Sequence, residues 1–342
     1  MFFHFLSFFK IYLKKEWFNM PSTITHAYFM LDIYDNLDEN AKKLLKNHLE
    51  YLKVFAQGPD PLYFYNYTKA KIKILSFEMH ITKTRAFFLN LVTFIKEHQL
   101  EYQPEVIAYL YGSIAHYVLD STVHPFVFYQ TGFFNKKKKN TYKYIGLHLD
   151  METYIDAYMI YIKENIEPEK FKLHQFCFNV DNFSLALKDT IDDVINTTYQ
   201  WKHADIFYLK AIKQMKSFFH LFRYDPYGLK KRQYQRLDQI IPKPSFRFVF
   251  LSYNISLAEK RYYLNLEKNK WNHPTDKNEV FDLSFPELYM ISLQKALSII
   301  NDVNEVLYNN RDIKRLKRTF LNLSYLTGKP CELKQEMIYF AF

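Results

Sequence analysis

Histidine and carboxylate residues recur in this sequence at spacings that suit metal ligation: His80, then His116-x-x-x-Asp120-x-x-x-His124, then His148-x-x-x-Glu152, with Asp60 inside Gly58-Pro59-Asp60-Pro61. A spacing of four stacks side chains on one helix face, so each pair can reach a common ion. Imidazole nitrogens and carboxylate oxygens are ordinary zinc ligands, and these residues outnumber the four that one tetrahedral zinc takes. The spacing therefore points to at least two metals. Multinuclear zinc held by His and carboxylate is suited to phosphoester hydrolysis, because two ions about 3.5–4 Å apart can hold a shared hydroxide and clamp the attacking and leaving oxygens. Asp120, between two histidines on one face, is the expected bridge. Asp60 is expected to be a terminal ligand or the base that aligns the attacking water. A lone His is more often structural than catalytic, but two such pairs with a third His in register are harder to ascribe to chance.

The elements that must position these residues are helices. From Pro21 onward, apolar residues recur every three or four positions with charged residues between them, the pattern of packed amphipathic helices. Ser22 or Thr23 can cap a helix carrying His26, Tyr28 and Phe29. The next is expected over about 38–54, ending before Asp60, which its flanking prolines hold in a stiff, non-helical position. A helix over 77–98 would put His80 and Thr84 on one face. Another opens at Pro104 and is expected to stop at His124, before Pro125. On it Gly112 and Ser113, one turn before His116, would leave room for ions and substrate. A helix over 147–163 carries His148 and Glu152, with Asp156 placed to orient one of them. Further helices are expected over 199–222, 245–266 and 285–309. His174, His203, His220 and His273 are scattered and read as surface or satisfied residues.

Composition agrees with an all-α fold. The 342 residues contain only 6 Gly and 12 Pro, little of the turn chemistry that many short strands need. With no internal repeat and no Gly/Ser linker, residues 20–342 read as one helical domain, a multi-helix bundle. Residues 1–19 read as an extension preceding Met20 as the natural start, since Lys10 interrupts their apolar run and no small-residue cleavage site follows. They make neither a good signal peptide nor a good membrane span, so the expected location is cytoplasmic or peripheral at a membrane. The net charge of +10 favours anionic partners without choosing among phosphate groups, nucleic acid and lipid surfaces. Lys136 to Lys139 form the densest basic run, expected to be a solvated loop. Cys177 and Cys331 lack CxxC spacing, which argues against a disulfide framework or a thiolate zinc site. Both are expected to be buried.

Five segments resemble the zinc-dependent phospholipase C family, whose fold is shared with the P1-type zinc nucleases. They are Ser22 to His26, Gly58 to Pro61, Met79-His80, His116 to Pro125 and His148 to Glu152. The resemblance runs over about 20–310 and implies a mostly helical fold holding two or three Zn2+ in a cleft. It further implies that Asp60, His80, His116 and Asp120 hold one ion, that Asp120 bridges to a second ion also bound by His26, and that His124, His148 and Glu152 hold the third. The implied activity is hydrolysis of a phospholipid, at a membrane surface, to diacylglycerol and a phosphorylated headgroup. Secreted members complete the ion at His26 with an N-terminal Trp. Here that ion would be completed by water or by Pro21 after removal of Met20.

Two alternatives belong to other classes: a P1-type zinc nuclease, and a non-catalytic helical protein that metals stabilise. Specific nucleic-acid binding is not expected. The absence of an HD dipeptide and of a Glu-x-x-His pair sets aside the HD-type phosphohydrolases and the di-iron bundles. Tyr63, Phe64, Tyr65, Phe126 and Tyr129, close in sequence to ligands, are the expected aromatic walls; such rings suit a quaternary ammonium headgroup or a stacked nucleobase alike, and the resemblance implies the lipid.

Overall fold

The computed structural model describes residues 22–66, 70–135, 137–240 and 247–342; the extension 1–19, Met20 and Pro21 lie outside them. Amphipathic segments become helices almost throughout. In the first half these are α1 (Thr23–Asp35), α2 (Glu39–Leu45), α3 (Leu49–Phe55), a 3-10 turn (Asp60–Phe64), α4 (Ala70–Ile81), α5 (Thr84–Glu97), α6 (Pro104–Thr131) and α7 (Leu147–Glu164). There follow α8 (Leu173–Phe176), α9 (Leu185–Tyr199), α10 (Ala204–Phe222), α11 (Leu229–Ile240), α12 (Phe285–Leu307) and α13 (Leu316–Thr319). The only sheet among the described residues is the antiparallel hairpin of β1 (Trp271–His273) and β2 (Asp276–Phe281), with Trp271 opposite Phe281. None of the described helices is long and apolar enough to cross a membrane.

The axis of the fold is α6. Its 28 residues span about 42 Å at 1.5 Å per residue, and most of them are buried, as expected of a helix that is apolar all round. Helices α3 and α12 pack most extensively on it, and α1 lies against α3, α6 and α7. Gly112 does not make room for substrate as expected. It is where α3 crosses α6: a Cβ there would sit 2.6 Å from the backbone carbon of Phe55. The close crossing brings the loop after α3, and with it Asp60, beside His116.

Helix α1 runs alongside the second half of α7 and is clamped to it at both ends. Asp156 accepts from Ser22 Oγ (2.7 Å), Thr25 N–H and Thr25 Oγ1 (both 2.9 Å), and from Tyr253 OH (2.7 Å). Farther along, Lys163 pairs with Asp32 at 2.5 Å and Tyr28 OH donates to Glu164 at 2.6 Å. Asp156 thus caps α1 from a neighbouring helix instead of orienting His148 or Glu152 as expected. Burial raises its pKa against the pull of these donors. Ser22 holds the N-cap position, but its hydroxyl goes to Asp156 and makes no cap bond of its own.

Several expected boundaries move. The segment 38–54 divides into α2 and α3, because His48 N–H returns to Leu45 O at 2.8 Å in a tight turn. The segment 77–98 breaks after Ile81: Thr82 bonds to Glu78 O through both N–H and Oγ1 at 2.9 Å, and Lys83 adopts φ 55°. Thr84 therefore opens α5 and does not share a face with His80. Pro125 does not end α6, which continues to Thr131; proline costs the helix the bond to the carbonyl four residues back, here Ser121, while packing keeps the rest. Residues 200–203 are a turn, with Gln200 and His203 at positive φ. In place of a helix over 245–266 the described part holds two 3-10 turns, Phe248–Leu251 and Arg261–Leu264. The first begins where the Asp238 carboxylate takes the N–H groups of Phe248 and Val249. Lys139 begins another 3-10 turn, and of the two thiols only Cys177 is buried.

Candidate metal centre

Helices α1, α4, α6 and α7 and the turn after α3 deliver His26, His80, His116, Asp120, His124, His148, Glu152 and Asp60 to one place. All eight are at least nine-tenths buried. Along α6 the spacing of four brings His116, Asp120 and His124 onto one face. His116 Nε2 lies 3.2 Å from Asp120 Oδ2, and His124 Nδ1 lies 3.5 Å from the same oxygen. On α7, His148 Nε2 is 3.0 Å from Glu152 Oε1, which His124 Nε2 approaches at 3.4 Å. Asp60 puts Oδ1 3.1 Å from His80 Nε2 and Oδ2 3.8 Å from His116 Nε2. Asp120 Oδ1 is 3.0 Å from His26 Nε2.

Three groups have ligand atoms close enough to surround an ion: His26, His116 and Asp120; Asp60, His80 and His116; and His124, His148 and Glu152. The first two share His116. Asp120 faces His26 with one oxygen and His116 with the other. A cavity of about 20 Å³ lies among His26, Asp120, His124 and Glu152, walled by Thr25 and Phe285, room for roughly one water.

Backbone carbonyls fix three of the rings. His80 Nδ1 bonds to Ser76 O (2.7 Å), His116 Nδ1 to Ala56 O (3.1 Å) and His124 Nδ1 to Tyr325 O (2.9 Å). A carbonyl can only accept, so each Nδ1 carries a hydrogen, and Nε2 is the ring atom left to ligate an ion. Outer contacts of this kind set the tautomer of a ligating imidazole. Gly58, at φ +50°, makes the His116 position possible: a Cβ there would lie 2.3 Å from the His116 ring.

Asp60 Oδ2, Asp120 Oδ2, Glu152 Oε2 and His116 Nε2 are buried without a hydrogen-bond partner. Each such buried atom costs about 1–3 kcal/mol, so a cluster of four calls for a compensating cation. Oxygen and imidazole donors without a thiolate fit zinc. Burial opposes ionisation of Asp120, but His124, His116 and His26 hold its carboxyl well below the usual range. Burial likewise opposes charge on His124, yet Asp120 and Glu152 push its pKa up to about 9. Glu152 is lowered by His148 and His124 against its own burial.

The aromatic surroundings differ from expectation. Phe64 packs into the core against Phe218 and Phe219, and Phe126 against Trp271. Tyr65 faces Phe207, and Tyr129 also faces Trp271. Tyr63 does lie beside the site, its ring 5.8 Å from His80. Two further rings at the centre are Phe128, 4.6 Å from His148 and 5.7 Å from His124, and Tyr325, 5.3 Å from His80 and 5.5 Å from His116. Phe128 follows His124 by four positions on α6, so the helical spacing that exposed the ligands could also have found it. Tyr325 carries no such signal, being brought in by the chain's return.

Residues 25–201, more than half of the chain, match the family model described as zinc dependent phospholipase C. No curated protein and no solved structure matches the chain.

Proposed function

The chain belongs to the zinc-dependent phospholipase C family, and from that premise we propose that it hydrolyses phospholipids, at a membrane surface, to diacylglycerol and a phosphorylated headgroup. The observation that carries this reading is the convergence of eight buried His, Asp and Glu side chains, among them four polar atoms without a hydrogen-bond partner. The proposed ligands are Asp60, His80, His116 and Asp120 for one ion, Asp120 and His26 for a second, and His124, His148 and Glu152 for a third. The two-sided placement of Asp120 between His26 and His116 supports its role as the bridge. Zinc bound there would supply Lewis acidity toward the phosphodiester and lower the pKa of a bound water.

The protein's own groups would do the rest. Asp60 Oδ2, buried and without a hydrogen-bond partner, would accept a proton from the attacking water. The water oxygen bonds to phosphorus, the bond from phosphorus to the glycerol oxygen breaks, and that oxygen takes up one proton, equal to the one Asp60 accepted, to leave as the hydroxyl of diacylglycerol. His80, His116 and His124, each anchored through Nδ1 to a backbone carbonyl, would hold the ions at fixed positions. Tyr63, the partly exposed ring beside the site, would offer aromatic surface to a quaternary ammonium headgroup, at about 0.5–2 kcal/mol per contact.

Rates on micellar phosphatidylcholine or phosphatidylethanolamine, set against single-stranded DNA and RNA at equal phosphate concentration, test the proposal. Release of phosphocholine or phosphoethanolamine should be the faster reaction. The reverse order would move the protein to the nuclease side of the fold.

A further inference from the structure

We infer that residues 322–330, beyond the family match, form a positioning strap whose central residue, Tyr325, sets the geometry of the histidines His80 and His124 for metal binding. The inference rests on the zinc reading above and concerns which residues make the site competent.

Tyr325 contacts the centre in three ways. Its N–H donates to His80 O at 2.7 Å. That carbonyl is free because α4 ends at Ile81, one residue beyond the ligand, and the last carbonyls of a helix have no partner within it. Its own C=O accepts from His124 Nδ1 at 2.9 Å, fixing the tautomer that leaves Nε2 for the group containing His148 and Glu152. Its ring covers His80 and His116 at 5.3 and 5.5 Å. One residue thus touches ligands belonging to different ions.

The strap is held from both sides. Thr84 Oγ1, at the start of α5, donates to Leu323 O at 2.9 Å and lies 3.2 Å from Asn322 Oδ1. Leu323 pairs with Pro330 across the turn, where Ser324 N–H donates to Lys329 O at 2.8 Å. His273 Nε2, on β1, bonds to Thr327 O at 2.9 Å. Gly328 seats the turn on α6. Its φ is +62°, and a Cβ there would lie 2.2 Å from Ser121 O and 3.6 Å from Pro125 Cγ. Ser121 O is the carbonyl that Pro125 deprives of its helical partner. The proline beside His124 therefore opens the surface on which the strap rests.

Loss of outer contacts to ligating histidines costs about 10–100-fold in metal affinity. Zinc affinity is measured by chelator competition for the full chain and for Gly328→Val, Tyr325→Ala and Tyr325→Phe, with helicity and thermal midpoint recorded on the zinc-free forms. Gly328→Val should lift the turn and weaken at least one zinc by about 10-fold or more, while the zinc-free protein keeps its helicity and midpoint. Tyr325→Ala should weaken zinc in the same direction, and Tyr325→Phe, which keeps ring and backbone, should restore it. Unchanged affinity in Gly328→Val and Tyr325→Ala, with zinc bound by the wild type, would overturn the strap and leave the zinc reading standing. Unfolding of both zinc-free variants would also overturn it, as the segment would then be core. A wild type that binds no zinc would defeat both.

Discussion

His116 Nε2 faces Asp120 Oδ2 at 3.2 Å one helical turn away, and neither atom has a hydrogen-bond partner. Two buried polar atoms so close and so poorly satisfied make sense as ligands that converge on cations.

His116→Ala and Asp120→Asn should each abolish hydrolysis, one removing a ligand and the other weakening the bridge. The loss of zinc affinity should exceed the roughly 10–100-fold that an outer contact costs. His203→Ala, in the turn before α10, should be nearly silent. Equal damage from all three substitutions, read by activity and zinc content together, would contradict the special role of the cluster.

Asp156→Asn should destabilise the protein by about 1–3 kcal/mol, because one carboxylate serves four donors and an amide cannot accept from all of them. Denaturant unfolding measures it. Since Asp156 anchors the start of α1, where His26 sits, the loss should be larger than for Asp35→Asn at the exposed end of the same helix.

Gly112→Ala should cost about 1–3 kcal/mol through overpacking at the crossing of α3 and α6. A thermal midpoint equal to wild type would show that the two helices can part without penalty.

The acid limb of stability should include Glu287. Lys268, and then the Ser284 hydroxyl and N–H in the capping box of α12, lower its pKa to about 2. A carboxyl whose folded pKa lies below its unfolded value, about 4.3, stabilises above that value and loses the contribution as pH falls toward 2. Glu287→Gln should flatten this part of the stability curve between about pH 4.5 and 2. An unchanged acid limb would contradict it.

Much of the centre was legible because helical spacing is a local signal. His116, Asp120 and His124 lie on one face wherever that segment is a helix, and His148 and Glu152 obey the same rule. The expected stop at Pro125 was wrong because burial of Phe126 to Phe128 offsets one lost hydrogen bond. The expected role of Asp156 was wrong because its position along α7 places it beside α1, which only the packing of helices decides. Tyr325 was invisible for a similar reason: it acts mainly through its backbone and reaches the ligands only after the chain returns past α12. Phe64 and Phe126, close to ligands in sequence, point into the core, so nearness along the chain did not predict the walls.

Zinc content tests the central claim most directly. Elemental analysis of protein purified without chelator should find two or three zinc ions per chain, removable by chelation and restored on adding zinc, with hydrolysis following occupancy. Fewer than one equivalent, with no gain when zinc is supplied, would contradict the account.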